Sequence, residues 1–195
     1  VSPPPLRHVY GPVPSRRLGR SLGVDLVPPK TCTYDCVYCQ LGRTTCLTLE
    51  RREHVGVDVL VAEVDAALAA GAAPDIVALS GSGEPTLYRP LRELITALRS
   101  RFRPVAVLTN GSLLFDPLVR DELREADVVM PSLDAGDEST FVGVNRPHPE
   151  LDLATVVDGL VAFRDEYRGQ LWLEVMLLAG LTGTYMFTDI FGLGG

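Results

Sequence analysis

"SLGVDLVPPKTCTYDCVYCQLG", residues 21–42, joins a short apolar run to a cluster of cysteines. The run SLGVDLVP (21–28) reads as a strand closed by Pro28-Pro29. Residues 29–54 behind it form a long polar loop, and loops of that length inside a compact domain are usually functional. Cys32, Cys36 and Cys39 sit in this loop, Cys46 follows just downstream, and the rest of the 195 residues contain no cysteine.

Outward from the loop the chain settles into a rhythm. VDVLVAEVDAALAAG (57–71) places Val57, Leu60, Val61, Val64 and Leu68 on one helical face and closes at Gly71. DIVALSG (75–81) reads as a strand, and RPLRELITALRS (89–100) as a helix with Leu91, Leu94, Ile95 and Leu98 inward. PVAVLTNG (104–111) is a strand, and DPLVRDELREA (116–126) a helix with Asp116 as N-cap and Pro117 at its first position. DVVMPSLD (127–134) is a strand, LATVVDGLVAFRDEYRG (153–169) a helix and QLWLEVMLLAG (170–180) a fifth strand. Strands that open on continuous apolar runs are typical of buried parallel sheets. Their alternation with helices predicts an α/β fold of right-handed βα units.

Polar residues collect at one place in each unit. SGSGEPT follows the second strand, TNGS the third and SLDAGD the fourth, while the cysteine loop follows the first. These are C-terminal strand ends, where α/β sheets and barrels build their sites.

Composition narrows the setting. Apolar residues make up 46% and charged residues 22%, a globular balance that argues against disorder of the whole chain. The longest apolar run, LWLEVMLLAGL (171–181), is too short to span a bilayer and is interrupted by Glu174. The start, VSPPPLRHVYGP, has no apolar signal-peptide core and no initiating Met, as in a trimmed or partial chain. A cytoplasmic setting is the expectation, and there thiols serve metals or catalysis more often than disulfides. The net charge is -7, yet residues up to Glu53 carry eight basic and four acidic groups. That basic part, which holds Lys30, the only lysine, flanks the cysteines and suits either an anionic ligand or a solvated surface.

Three uses of the cysteines are open on spacing alone. Structural zinc takes four ligands, which Cys32, Cys36, Cys39 and Cys46 or His54 could supply, although paired knuckles are usual. An electron-transfer cluster takes four thiolates, but the bacterial ferredoxin run has a different spacing. Three thiolates on a cubane would leave one iron open to a substrate or cofactor.

Cys32-x3-Cys36-x-Tyr38-Cys39 resembles the signature of the radical S-adenosylmethionine superfamily. The likeness extends to Gly81-Ser82-Gly83-Glu84-Pro85 and to Asn110-Gly111. GPVPSRRLGRSLGVDLVPPKTCTYDCVYCQLGRT (11–44) and SLDA (132–135) are similar to a bacterial and archaeal group of radical enzymes related to the wyosine-type synthases that modify transfer RNA. The resemblance covers about residues 10–181 and implies a partial (β/α) barrel, usually of six βα units, of which this chain shows five strands, as in a barrel truncated after the fifth. It divides the chain into an irregular basic arm (1–20), the barrel domain (21–181) and an atypical tail (182–195).

What the resemblance implies for the site is specific. Cys32, Cys36 and Cys39 would hold a [4Fe-4S] cluster, and Cys46 would be a spare thiol. Gly81, Ser82, Gly83 and Glu84 would meet the amino group of S-adenosylmethionine, Asn110 would be a further cofactor-binding residue, Ser132 and Asp134 would lie near its ribose and carboxylate, and the backbone of Tyr38 near its adenine. The reduced cluster would cleave this cofactor to methionine and a 5′-deoxyadenosyl radical, which takes hydrogen from a substrate. An external flavodoxin- or ferredoxin-like electron donor is implied, transfer RNA is the runner-up substrate, and no membrane is involved.

Overall fold

A computed structural model describes residues 6–178. In chain order these form β1 (Val9–Ser15), β2 (Gly19–Val24), β3 (Thr31–Cys32), β4 (Cys46–Leu47), α1 (Val57–Ala69) and β5 (Ile76–Leu79). A 3-10 turn (Pro85–Leu87), α2 (Leu91–Arg99), β6 (Val105–Thr109), α3 (Pro117–Leu123) and β7 (Val128–Pro131) follow, then α4 (Glu138–Asn145), α5 (Leu153–Glu166) and β8 (Gln170–Leu171).

The main sheet has the order β1-β2-β5-β6-β7-β8. From β2 to β8 every pairing is parallel, so the five expected strands are consecutive neighbours in space. The last pairing runs on past β8, where the Trp172 and Glu174 N–H groups donate to the carbonyls of Val129 and Pro131. The end of the expected fifth strand and the tail lie outside the described residues.

Pleating divides the strand side chains between two apolar clusters. Val77 and Leu79 of β5, Val105 and Val107 of β6 and Val129 of β7 pack with apolar residues of all five helices. Their alternates Ile76, Ala78, Ala106, Val128 and Met130 form a second cluster with Leu18, and among the described residues no helix residue joins it. Helices on one face only mark a barrel-type sheet, since a doubly wound sheet has helices on both. Leu18, in the turn between β1 and β2, covers part of the face that the helices leave bare.

Local chemistry explains the elements. In α2, Leu91, Leu94, Ile95 and Leu98 are fully buried on one face, each worth roughly 1.5–3 kcal/mol relative to exposure. At the start of α3 the Asp116 carboxylate accepts the Leu118 N–H at 2.9 Å and Pro117 takes the first position, as its sequence predicts.

Residues 9–15, expected to be irregular, are strand β1 and pair antiparallel with β2. Pro12 and Pro14 lack an N–H and so tend to be confined to an edge strand, which is where β1 lies, with an irregular register between Tyr10 and Val13. Helix α4 is also additional to the sequence prediction, and it packs against the cysteine loop.

Candidate metal and cofactor site

The loop after β2 is folded back on itself. β3 and β4 pair in parallel, Thr31 with Cys46 and Cys32 with Leu47, which places the two limbs side by side. Cys32, Cys36 and Cys39 are partly buried free thiols, while Cys46 is exposed. Cys36 lies within electrostatic reach of both Cys32 and Cys39. The spacing that singled out three cysteines therefore corresponds to a division in space.

Helix α4 braces this loop. The Val37 N–H donates to Val144 O at 2.9 Å, the Asp35 N–H to Asn145 O at 3.1 Å and the His148 N–H to Thr33 O at 2.9 Å. The Tyr34 ring meets Phe141 edge to face at 5.4 Å between centroids. On the inner side, the Asp35 carboxylate accepts the Thr44 N–H at 2.6 Å.

The glycine-rich turn after β5 docks on the other side of the loop. The Lys30 N–H donates to Ser82 O at 2.7 Å and the Glu84 N–H to Thr31 O at 3.0 Å. Gly83 is required by this approach, because a Cβ there would lie 2.1 Å from the Thr31 carbonyl oxygen. Gly81 has φ +136°, and a Cβ on it would meet the Asp25 carboxylate at 2.7 Å. That carboxylate accepts the Ser82 N–H at 3.1 Å and the Ser82 hydroxyl, so Asp25 holds the turn in shape.

Each of the three thiols faces a side-chain nitrogen donor. Lys30 Nζ is 3.1 Å from Cys39 Sγ, Asn110 Nδ2 is 3.6 Å from Cys32 Sγ and Asn145 Nδ2 is 3.6 Å from Cys36 Sγ. Burial, and next the charge of Glu84, pushes the Cys32 thiol up to about 12; burial also raises Cys36. Metal binding by thiols requires the loss of their protons.

Glu84 is turned inward. It is 2% exposed, and its carboxylate accepts the Thr86 N–H at 3.0 Å, the Thr86 and Thr109 hydroxyls at 2.7 and 2.6 Å and the Asn110 N–H at 2.8 Å. These contacts make Glu84 a brace between strand ends. Its burial raises its carboxyl above the usual range.

Asp134 is similarly enclosed. It accepts the Tyr38 hydroxyl, Asn145 Nδ2 at 3.0 Å and the Met176 N–H at 2.8 Å. Tyr38 thus points its side chain at Asp134, which leaves its backbone for other contacts. Ser132 stands apart from this network and donates its N–H to Thr109 O at 3.1 Å. Asn145 and Asp25 were not visible as site residues, because Asp25 sits within the apolar run read as the first strand and Asn145 lies far along the chain from the cysteines, while Lys30 was visible only as part of the basic stretch beside them.

Among the described residues no three His, Cys, Asp or Glu side chains are grouped to hold a single metal ion. A cube bound at three corners spaces its ligand sulfurs wider than one ion does. Three neighbouring thiols, each with an N–H donor, in a partly buried loop form a donor set that fits an iron–sulfur cluster. No helix among the described residues is long and apolar enough to cross a membrane.

A family model described as the radical SAM superfamily matches residues 26–186. Among curated relatives, a protein named GTPase Obg from Brachyspira hyodysenteriae is 44% identical over 173 residues, covering 88% of this chain and 25% of that protein. The UPF0026 protein MJ1312 of Methanocaldococcus jannaschii is 40% identical over 177 residues, covering 90% of this chain and 55% of its own. A solved structure of TYW1 with a lysine-pyruvate adduct aligns at TM-score 0.60 and 21% identity, covering 85% of this chain and 59% of that one. The AdoMet-bound structure of anSMEcpe aligns at TM-score 0.58 and 22% identity, covering 78% and 42%. At these identities the two structures share the fold, and this chain spans from a quarter to about half the length of the two curated relatives.

Proposed function

The chain belongs to the radical SAM superfamily, and from that premise we propose that it carries the cluster- and cofactor-binding part of a radical enzyme. The observation that carries this reading is the set of three neighbouring, N–H-capped thiols beside the Gly81–Glu84 turn. Cys32, Cys36 and Cys39 would hold a [4Fe-4S] cluster, with S-adenosylmethionine at its open iron. When bound, these groups supply one-electron cleavage of the sulfonium to methionine and a 5′-deoxyadenosyl radical that takes a hydrogen atom.

The chain's own residues position that chemistry. The Gly81–Glu84 turn offers carbonyl oxygens to a ligand ammonium. Gly83 lets it lie against Thr31, and Asp25 and Glu84 fix it from below. Asn110 links the end of β6 to Cys32 and to the Thr33 hydroxyl at 2.7 Å, so strand end and cluster ligand move together. Ser132 and the Tyr38 backbone are the groups left to meet the ribose and the adenine. The electron comes from an external low-potential donor.

The AdoMet-bound neighbour of the same fold supports the cofactor. The substrate and overall reaction belong to the whole protein, of which this chain spans a part. The test is one anaerobic reconstitution followed by dithionite reduction. About four irons per chain and release of 5′-deoxyadenosine are expected, whereas a colourless protein with one zinc would overturn the reading.

A further inference from the structure

We propose that Lys30 is a positioning residue for electron uptake: its ammonium, at the Cys39 sulfur, raises the reduction potential of the cluster that Cys32, Cys36 and Cys39 carry. This rests on the cluster reading above and adds a residue that the cysteine motif does not contain.

The geometry is built rather than incidental. The Lys30 backbone is fixed on both sides, its N–H on Ser82 O at 2.7 Å and its carbonyl accepting the N–H groups of Thr45 and Cys46 at 3.1 Å. It has φ +63°, in the left-handed region that a lysine rarely occupies. A backbone held this way directs the only lysine of the chain onto Cys39 Sγ at 3.1 Å. Asn110 and Asn145 serve the other two sulfurs as neutral donors, each at 3.6 Å. The Cys39 corner is therefore the one that meets a full positive charge.

The direction of the effect follows from charge. One-electron reduction adds a negative charge to the cluster, shared with its sulfurs. A cation and an N–H donor at a ligand sulfur favour the reduced form more than the oxidised form, which raises the potential. In a partly buried site solvent screens this less than at a surface.

The experiment is an EPR-monitored redox titration of the reconstituted full chain and of Lys30→Met, Lys30→Gln and Lys30→Arg, with iron counted in each. All three replacements are unbranched, so the backbone cost at φ +63° stays comparable. The expected order is wild type and Lys30→Arg highest, Lys30→Gln lower and Lys30→Met lowest, at equal iron content. A wild-type potential in Lys30→Met or Lys30→Gln overturns the proposal. So does loss of iron in both while Lys30→Arg keeps it, because Lys30 would then serve assembly. Borohydride trapping of a pyruvate-derived mass on Lys30 would also overturn it, since that nitrogen would serve a carbonyl. If the wild-type chain takes up no iron, the cluster reading itself has failed.

Discussion

The carboxylate of Glu84 accepts the backbone N–H of Asn110 at 2.8 Å, which ties the turn after β5 to the end of β6. Asn110 in turn reaches Cys32 and Thr33, so a buried acid outside the cysteine loop is two contacts from the Cys32 sulfur. Its role is to set the spacing between strand ends.

Glu84→Gln tests that role. The amide nitrogen must replace one acceptor oxygen, and hydroxyls of Thr86 and Thr109 can rotate to accept, but the backbone N–H of Thr86 on one oxygen and that of Asn110 on the other cannot. A loss of about 1–3 kcal/mol in denaturant unfolding is expected for a buried group left unsatisfied. Wild-type stability in Glu84→Gln would show that the carboxylate is free for a ligand.

Gly83→Ala addresses the contact between the turn and the loop. The added Cβ falls 2.1 Å from Thr31 O and 2.6 Å from Val27 Cγ2, so the turn must move away from the cysteines. Gly83 belongs to no helix, so the helical content is expected to persist. The expected outcome is at least a several-fold drop in reconstituted iron with helical circular dichroism retained, and full iron loading would contradict it.

How far the sequence reaches is clear from particular residues. Asp116-Pro117 and the Leu91, Leu94, Ile95, Leu98 face were legible because caps and helical period act locally. Strand β1 was hidden by prolines that argue against a central strand, and only the sheet order shows it to be an edge. Helix α4 was hidden because Phe141 and Val144 are the only large apolar side chains it buries, too few for a period. In the site, the thiols were legible from spacing, whereas Asn145, 109 residues away from Cys36, is joined to it only by the fold.

Cys36→Ala and Cys46→Ala separate three ligands from four. Cys46 is exposed on the outer limb of the loop, while Cys36 is half-buried beside Asn145. Iron binding is expected to vanish in Cys36→Ala and to stay within about 20% of wild type in Cys46→Ala, as a three-thiolate cluster requires. Equal losses in the two variants would mean four thiolate ligands.

Asp35 predicts a pH limit for the loop. The Thr44 N–H, then Arg43 and Arg146, hold its carboxyl below the ordinary 3.8. Because the folded value is depressed, the stabilisation is present above 3.8 and is lost as pH falls through the folded value. The stability gap between wild type and Asp35→Asn should be constant from about pH 5 to 8, well above the carboxylate range, and should close in acid. A gap that persists at about pH 2 would exclude the carboxylate as its source.

The contact between Asn145 and Asp134 gives the opposite sign. Asn145 is 3% exposed, and its Nδ2 donates to Asp134 Oδ2 at 3.0 Å while also facing Cys36. N145D replaces that donor with a second carboxyl, and a like charge so close raises the pKa of the introduced acid. A raised folded value stabilises fully below the unfolded value of about 3.9 and loses that contribution as pH rises toward the folded value, at about 1.4 kcal/mol for each pH unit between the two. N145D should therefore unfold near wild-type denaturant concentrations at about pH 4, close to that unfolded value, and progressively earlier toward neutral pH. Asn145→Ala, which removes the donor without adding a carboxyl, should lose stability without that steep growth toward neutral pH. Parallel pH profiles for N145D and wild type would mean that Asp134 does not need the Asn145 donor to keep the cysteine loop on α4.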